Sequence, residues 1–423
     1  MRRRGIVGVA LTMASLSLLG PPTQLAPGAG RNSVQYGVDS VPRRLIKIAG
    51  FGALSGPAHS FGINSRAALL AAADTINRQG GVQLAGGVTG VFDVSYMDDH
   101  CDAAQGISVV RQAANSDALV AVGPSCSAVA EALYQTLQHT VDDGSDTGIQ
   151  MPVFTDSAMK ANLTRISQWA FRNSPNETDM YTVLWAWVRE HYPDLRTVYG
   201  GEEHDFAHSH STWQNIIAPQ AVAAGMTLVG QTSWSLTDRT FTSPVASMKA
   251  AGAQVIVISG HATTTCGVLR ELSSQHVRPQ LLVGLTSAST NETLHECSRE
   301  AEGLLIPTSF ATQNAAARKA AKAVERAGGI ADLHSMAGWE IMLTLARLIG
   351  ESGVVGTHDT LAVDRRKLRD ALAHSVSMEG LLGPIGRSVD REARKPFVLV
   401  QARRGTWQVV YTPRLTPRND QAN

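Results

Sequence analysis

The feature that most constrains this chain is an alternation of two periods. Short apolar runs that suit buried strands alternate with longer segments of helical period from residue 45 to about residue 375. The strand-like runs are 45–49, 92–97, 119–122, 152–155, 197–199, 227–231, 255–258, 281–283 and 303–307. The helical segments are 62–78, 103–115, 127–139, 177–191, 209–224, 240–251, 265–276, 314–327, 335–352 and 366–375. Continuous apolar runs are what parallel strands covered on both faces require, and right-handed crossovers make such units doubly wound. Segment 379–411 breaks the alternation and reads as a hairpin.

The chain has 423 residues, which suits two lobes better than one sheet. Apolar residues make up 43% and charged residues 17%, enough for a sizeable core and against disorder. Lys and Arg number 37 against 36 Asp and Glu, with no single-sign block, so a nucleic acid or anionic membrane held by bulk charge is not expected. Residues 1–30 carry Arg2, Arg3 and Arg4, an apolar run from Gly5 to Gly20 and then a Pro/Gly/Ala-rich stretch. That order is a secretory signal peptide and implies a periplasmic or secreted protein. No cysteine lies near the cleavage zone, so a lipid anchor is not expected. Residues 31–44 read as a linker and 413–423 as a tail.

Four cysteines, Cys101, Cys126, Cys266 and Cys297, allow three pairings. In an oxidising compartment the sequence-local choice, 101–126 and 266–297, is the simplest. A zinc site is the rival, without CxxC or paired-His spacing to support it. Nucleotide, hydrolase and kinase motifs are missing. Gly50, Gly52 and Gly56 give GxGxxxG, one residue too long for a dinucleotide turn, but they form a loop that could present backbone N–H groups at a helix N-terminus. His204, His208 and His210 with Asp205 have some metal-ligand character, yet the segment reads better as a polar loop entering a helix with Ser209 or Ser211 as cap. Stretch 141–148 is expected to be a solvated turn.

Taken in order, the segments resemble the leucine/isoleucine/valine-binding proteins, the substrate-binding components of ABC importers. The likeness is carried by IKIAGFGALSGPAHSFGINSRAALLAAADTINRQGGV, DDHCDAAQG with VAVGPSCSAVAEAL, MPVFTDSAMKANLT, FRNSPNETDMYTVLWAWV, QVIVISGHATTTCGVLREL and HSMAGWEIMLTLARLI. It spans residues 45–410. The resemblance implies an α/β fold of two doubly wound parallel-sheet lobes joined by three hinge crossings, with the ligand in the cleft between them. The crossings are expected near 169–171, 285–288 and 378–383. One lobe would be 45–168 with 288–378, the other 169–287 with 379–412. The gap between Cys101 and Cys126 suits a disulfide that many relatives carry.

The resemblance also implies a ligand set. Phe61 stands where relatives place an aromatic over the ligand, and Ser127 matches their carboxylate anchor. Ser157 and Met159 fall where relatives use a carbonyl and a threonine hydroxyl for the ammonium. Phe206 takes an aromatic position, His261 follows a strand in a GH turn, and Thr286 stands where amino-acid binders place an acid. Met159 and Thr286 depart from the pattern and argue against a zwitterionic ligand, since an unpartnered buried ammonium costs several kcal/mol. Asp156 or Asp205 could restore a counter-charge. Phe61 and Phe206 could instead be packing residues, and Ser127 only a cap. The expected function is a non-catalytic receptor, without cofactor or metal, for a small carboxylate- or amide-bearing solute. Its expected partners are that solute and the importer's permease subunits, the receptor itself being a monomer. A sensor partner of a membrane receptor and a metal-dependent hydrolase are the alternatives.

Overall fold

The computed structural model describes residues 42–375 and 377–414. The signal-peptide segment, most of the linker and most of the tail lie outside the described residues. The first sheet holds β1 (Arg43–Gly52), β2 (Val82–Leu84), β3 (Val88–Asp98), β4 (Ala118–Val122), β5 (Val153–Thr155) and β6 (Ala170–Arg172). Their order is β2-β3-β1-β4-β5-β6, parallel except for β2. The second sheet holds β7 (Thr197–Glu203), β8 (Thr227–Trp234), β9 (Val255–Ser259), β10 (Leu281–Gly284) and β11 (Leu304–Thr308). A two-strand ribbon of β12 (Gly386–Arg387) and β13 (Ala393–Arg394) precedes β14 (Val398–Arg403) and β15 (Thr406–Tyr411). The second sheet runs β15-β14-β11-β10-β9-β7-β8, with β14 antiparallel to β11.

Helices cover both faces of each sheet, as the runs of buried residues in the strands demand. On the first sheet, α1 (His59–Arg78) lies on one face, while α2 (Ala103–Ala114) and α3 (Ser127–Tyr134) lie on the other. On the second, α4 (Glu177–His191), α5 (Ala207–Thr212) and α6 (Ala218–Ala223) oppose α7 (Thr242–Ala251), α8 (Ala262–Ser274) and α9 (Asn291–Cys297). The last three helices, α10 (Ala315–Arg326), α11 (Leu333–Glu351) and α12 (Leu361–His374), return to the α1 face of the first sheet. Polar caps fix several starts. Asn176 accepts from Thr178 N ahead of α4, and Asp332 forms a capping box with Ser335 ahead of α11.

The chain crosses between the sheets three times, but not where the sequence placed each crossing. The third, expected near 378–383, leads into β14 at Val398, because Met378, Ile385, Ala393 and Phe397 still pack in the core of the first sheet. Residues 170–172 are still a strand of the first sheet, so the first crossing follows Arg172. The strand at 304–308 pairs with β10 and β14, so residues 288–308 belong with the second sheet and the second crossing is 309–314. Local periodicity marks a strand without stating its neighbours, which is why that boundary was misplaced. The expected hairpin segment 379–411 holds two antiparallel pairs, the short β12–β13 ribbon and the β14–β15 hairpin at 398–411. Residues 135–139 are not helical, and β1 begins two residues before the expected strand.

Buried polar groups tie the crossings together. The Glu340 carboxylate on α11 accepts from Asn173 Nδ2 at 3.2 Å and from Leu381 N at 2.7 Å, and it pairs with Lys395. Asn314 Nδ2 donates to Leu381 O at 2.7 Å. Both expected disulfides, Cys101–Cys126 and Cys266–Cys297, are formed, and no described cysteine is free. No described helix is long and apolar enough to cross a membrane.

Candidate functional site

Strand ends of both sheets face one cleft, where open α/β sheets bind ligands. From the first sheet, the loop after β1 brings Phe61 into the cleft at the first turn of α1. Its ring centroid lies 6.3 Å from Phe206 and 6.5 Å from His261, both from the second sheet. Gly50 and Gly52 serve packing, since a Cβ on Gly52 would come within 2.7 Å of Tyr96 Oη, whereas Gly56 has open space and a left-handed φ of 76°. The loop is also not a free cradle of N–H groups, because Leu54 N already donates to Asp98 at 2.8 Å.

Ser127 opens α3, where Cys126 is the N-cap. Its hydroxyl is not a helix cap. It accepts from Met159 N at 3.1 Å and Lys160 N at 3.2 Å, which fixes the 156–160 loop. The hydroxyl hydrogen remains available to donate. Met159 and Lys160 carbonyls accept from Arg172, while the Met159 side chain packs in the first core. Ser157 donates through its hydroxyl at 3.2 Å and its backbone N at 2.7 Å to Asp156. Asp156 is fully buried and also accepts from Ser65 and Ser125. Burial pushes its carboxyl up, against the pull of those hydrogen bonds.

On the second sheet, Phe206 precedes α5 as its N-cap residue, so neither Ser209 nor Ser211 caps that helix. Ser209 donates instead to Glu203 at 2.6 Å. Glu203 ends β7, fully buried, and accepts from His261 Nδ1, from His261 N at 3.2 Å and from Thr264. Burial alone would raise its carboxyl, but the His261 charge and these bonds hold it below the ordinary value. Glu177, the first residue of α4, makes the matching pair: His208 Nε2 lies 3.0 Å from both its oxygens. Thr212 donates to Glu177 at 2.6 Å and Thr286 at 2.5 Å. His208 and His210 therefore serve different acids, since His210 meets Glu202 at 3.0 Å. Among the described residues no group of His, Cys, Asp and Glu is placed to hold a metal ion. Asp205 is exposed and caps a turn, accepting from Ser235 and Leu236.

The structure thus brings Phe61, Phe206 and His261 into contact, and sets Thr286 against Glu177. It buries Asp156 beneath hydroxyls and leaves Asp205 at the rim. Sequence reasoning missed Glu177, Glu203 and His334. Glu177 reads as an ordinary acid favoured in a first helical turn. His334 follows the Asp332 cap of α11, and its ring centroid is 4.6 Å from Phe61.

Two doubly wound α/β halves, joined by three crossings and meeting over an aromatic and polar cleft, define a type I periplasmic binding fold. The comparisons agree. The profile of the periplasmic binding protein family matches residues 45–406. The leucine-, isoleucine-, valine-, threonine-, and alanine-binding protein of Pseudomonas aeruginosa is 25% identical over 274 residues, 64% of this chain and 69% of that protein. The substrate binding protein LivJ of Streptococcus pneumoniae, in complex with isoleucine, superposes with a TM-score of 0.73 at 16% identity, covering 88% of this chain and 99% of that one. A solute binding protein of R. palustris in complex with benzoate does so with a TM-score of 0.72 at 16% identity, covering 88% and 98%. The chain belongs to the periplasmic binding protein family, of the branched-chain amino acid type. Such proteins bind solutes and are not enzymes, and the family is exported.

Proposed function

We propose that this chain is the substrate-binding component of an ABC importer and takes a small organic acid or amide that lacks a free α-ammonium. The observation that carries the reading is the pairing of the two buried acids of the second half with histidines, Glu177 with His208 and Glu203 with His261. A ligand ammonium gains most from an uncompensated carboxylate, and these two are already compensated. Met159 offers no hydroxyl, and Thr286 directs its own at Glu177. Phe61 and Phe206 supply apolar ring faces for the body of the solute. Ser127 has a hydroxyl hydrogen to give to its carboxylate. Closure of the two halves about the tied crossings presents the occupied form to the permease. The relatives above are described with isoleucine and with benzoate, so the fold accommodates both ligand classes.

A thermal-shift screen of the mature protein against amino acids, aliphatic acids, aromatic acids and amides tests this. A ligand at about 100 times its Kd adds roughly 2.7 kcal/mol of stability. Acids or amides are expected to raise Tm while leucine, isoleucine and valine do not. Stabilisation by the amino acids alone would overturn the reading.

A further inference from the structure

Arg172 ends β6 just before the first crossing and is only 2% exposed. Its Nη1 donates to Met159 O at 3.1 Å and to Lys160 O at 2.7 Å, while Nη2 pairs with Glu392 in the turn of the β12–β13 ribbon. Thr164 donates to the same Glu392 carboxylate at 2.6 Å, and Arg387 Nη1 donates to Arg172 O at 2.9 Å. The guanidinium is thus fixed between the 156–160 loop and an acid. The Met159–Lys160 peptide is held from its other side as well. Its N–H, that of Lys160, donates to Ser127 Oγ at 3.2 Å, beside the 3.1 Å bond from Met159 N. One peptide unit therefore connects a buried cation to the Ser127 hydroxyl. Cys126 and Ala158, which neighbour that contact in the chain, share an apolar cluster with Phe61 and Phe206, so Ser127 stands beside the rings that meet across the cleft.

A hydroxyl has two lone pairs and one hydrogen. Both lone pairs of Ser127 are engaged by backbone N–H groups, so toward a solute the hydroxyl can only donate. Donation to an ionised acceptor is about twice as strong as donation to a neutral one. Arg172 widens that difference. Its charge polarises the Met159 carbonyl, the Lys160 N–H and the Ser127 O–H in turn, and hydrogen bonds in such a chain strengthen one another. We propose that Arg172 is a positioning residue for the solute's carboxylate, acting through the Met159–Lys160 peptide so that Ser127 selects an ionised acid over the matching carboxamide. Glu392 moderates this effect, because it lies against the same guanidinium with the opposite charge. The proposal rests on the organic-acid reading above, with Ser127 as the anchor, and narrows its acids or amides to acids.

Titration calorimetry on the full mature protein at pH 7 tests it with two matched pairs, benzoate with benzamide and isocaproate with isocaproamide. In at least one pair the acid is expected to bind about 10-fold or more tighter than its amide. In Arg172→Gln that ratio should fall to within about three-fold. In Glu392→Gln it should rise about two-fold or more, because the counter-charge is gone while the glutamine still accepts from Arg172. A merely structural role predicts no such opposition, since loosening the loop would weaken acid and amide alike in both variants. If Arg172→Gln does not fold, the double variant Arg172→Gln with Glu392→Gln, which leaves neither charge unpaired, takes its place with the same expected fall. Equal affinity for acid and amide in the parent, a ratio unchanged on loss of Arg172, or a ratio that falls in Glu392→Gln would overturn the role of Arg172 while leaving the organic-acid reading intact. Leucine binding with neither acid nor amide bound would overturn both.

Discussion

His208 Nε2 lies 3.0 Å from each carboxylate oxygen of Glu177, deep in the second half of the cleft. Burial by itself would raise the Glu177 carboxyl, but the His208 charge and the bonds from His208, Thr212 and Thr286 hold it below its ordinary value of 4.5. An acid whose folded pKa is depressed stabilises the fold fully above its unfolded value and loses that contribution as pH falls through the folded one. Glu177→Gln is therefore expected to cost about 3–5 kcal/mol at pH 7, the usual result of breaking a buried pair from one side. The variant should also lose less of its remaining stability below pH 4.5 than the parent does. Urea unfolding across that range measures both.

Ser127→Ala should lower stability and affinity together. Met159 N and Lys160 N lose their acceptor, which costs about 1–3 kcal/mol when such groups stay buried. Melting temperature without ligand and Kd with it separate the two effects. An affinity loss with unchanged melting would assign the hydroxyl wholly to the ligand.

Asp99 is wholly buried. Its Oδ1 accepts from Cys101 N, and its Oδ2 has no partner. Burial pushes its carboxyl up to about 6 from 3.8. A raised acid holds its proton more tightly when folded, so stability falls as pH rises between those values. Asp99→Asn should stabilise the protein by roughly 1–3 kcal/mol at pH 8 and by much less at pH 4. Denaturant midpoints at the two pH values check this.

The disulfides close loops with sequence separations of 25 and 31. Replacing either pair by serines should cost about 3–4 kcal/mol on the chain-entropy account. Unfolding of each double variant against the parent measures it, and peptide mapping of the parent should recover 101–126 and 266–297.

Much of this arrangement was legible in the residues. The alternation of strand-like and helical runs marked most of the elements, because parallel strands buried on both faces leave a continuous apolar signature. Phe61, Phe206 and His261 were singled out through the family resemblance, and the structure brings their rings together. The membership of β11 was not legible, since pairing partners leave no local period. The His–Glu pairs were hidden for a related reason. Glu177 and His208 are 31 residues apart, and a buried acid has the same letter as a solvated one. His334 was masked by its place behind a helix cap, where a polar residue is unremarkable.

Calorimetry with leucine and with isocaproate, which is leucine with its ammonium replaced by hydrogen, tests the central claim most directly. With Glu177 and Glu203 already matched by His208 and His261, the ammonium gains no free counter-charge and keeps its desolvation cost. Isocaproate is expected to bind about 10-fold or more tighter than leucine, a difference of about 1.4 kcal/mol. Micromolar binding of leucine, weak binding of isocaproate, and loss of the leucine signal in Glu177→Gln would contradict the account.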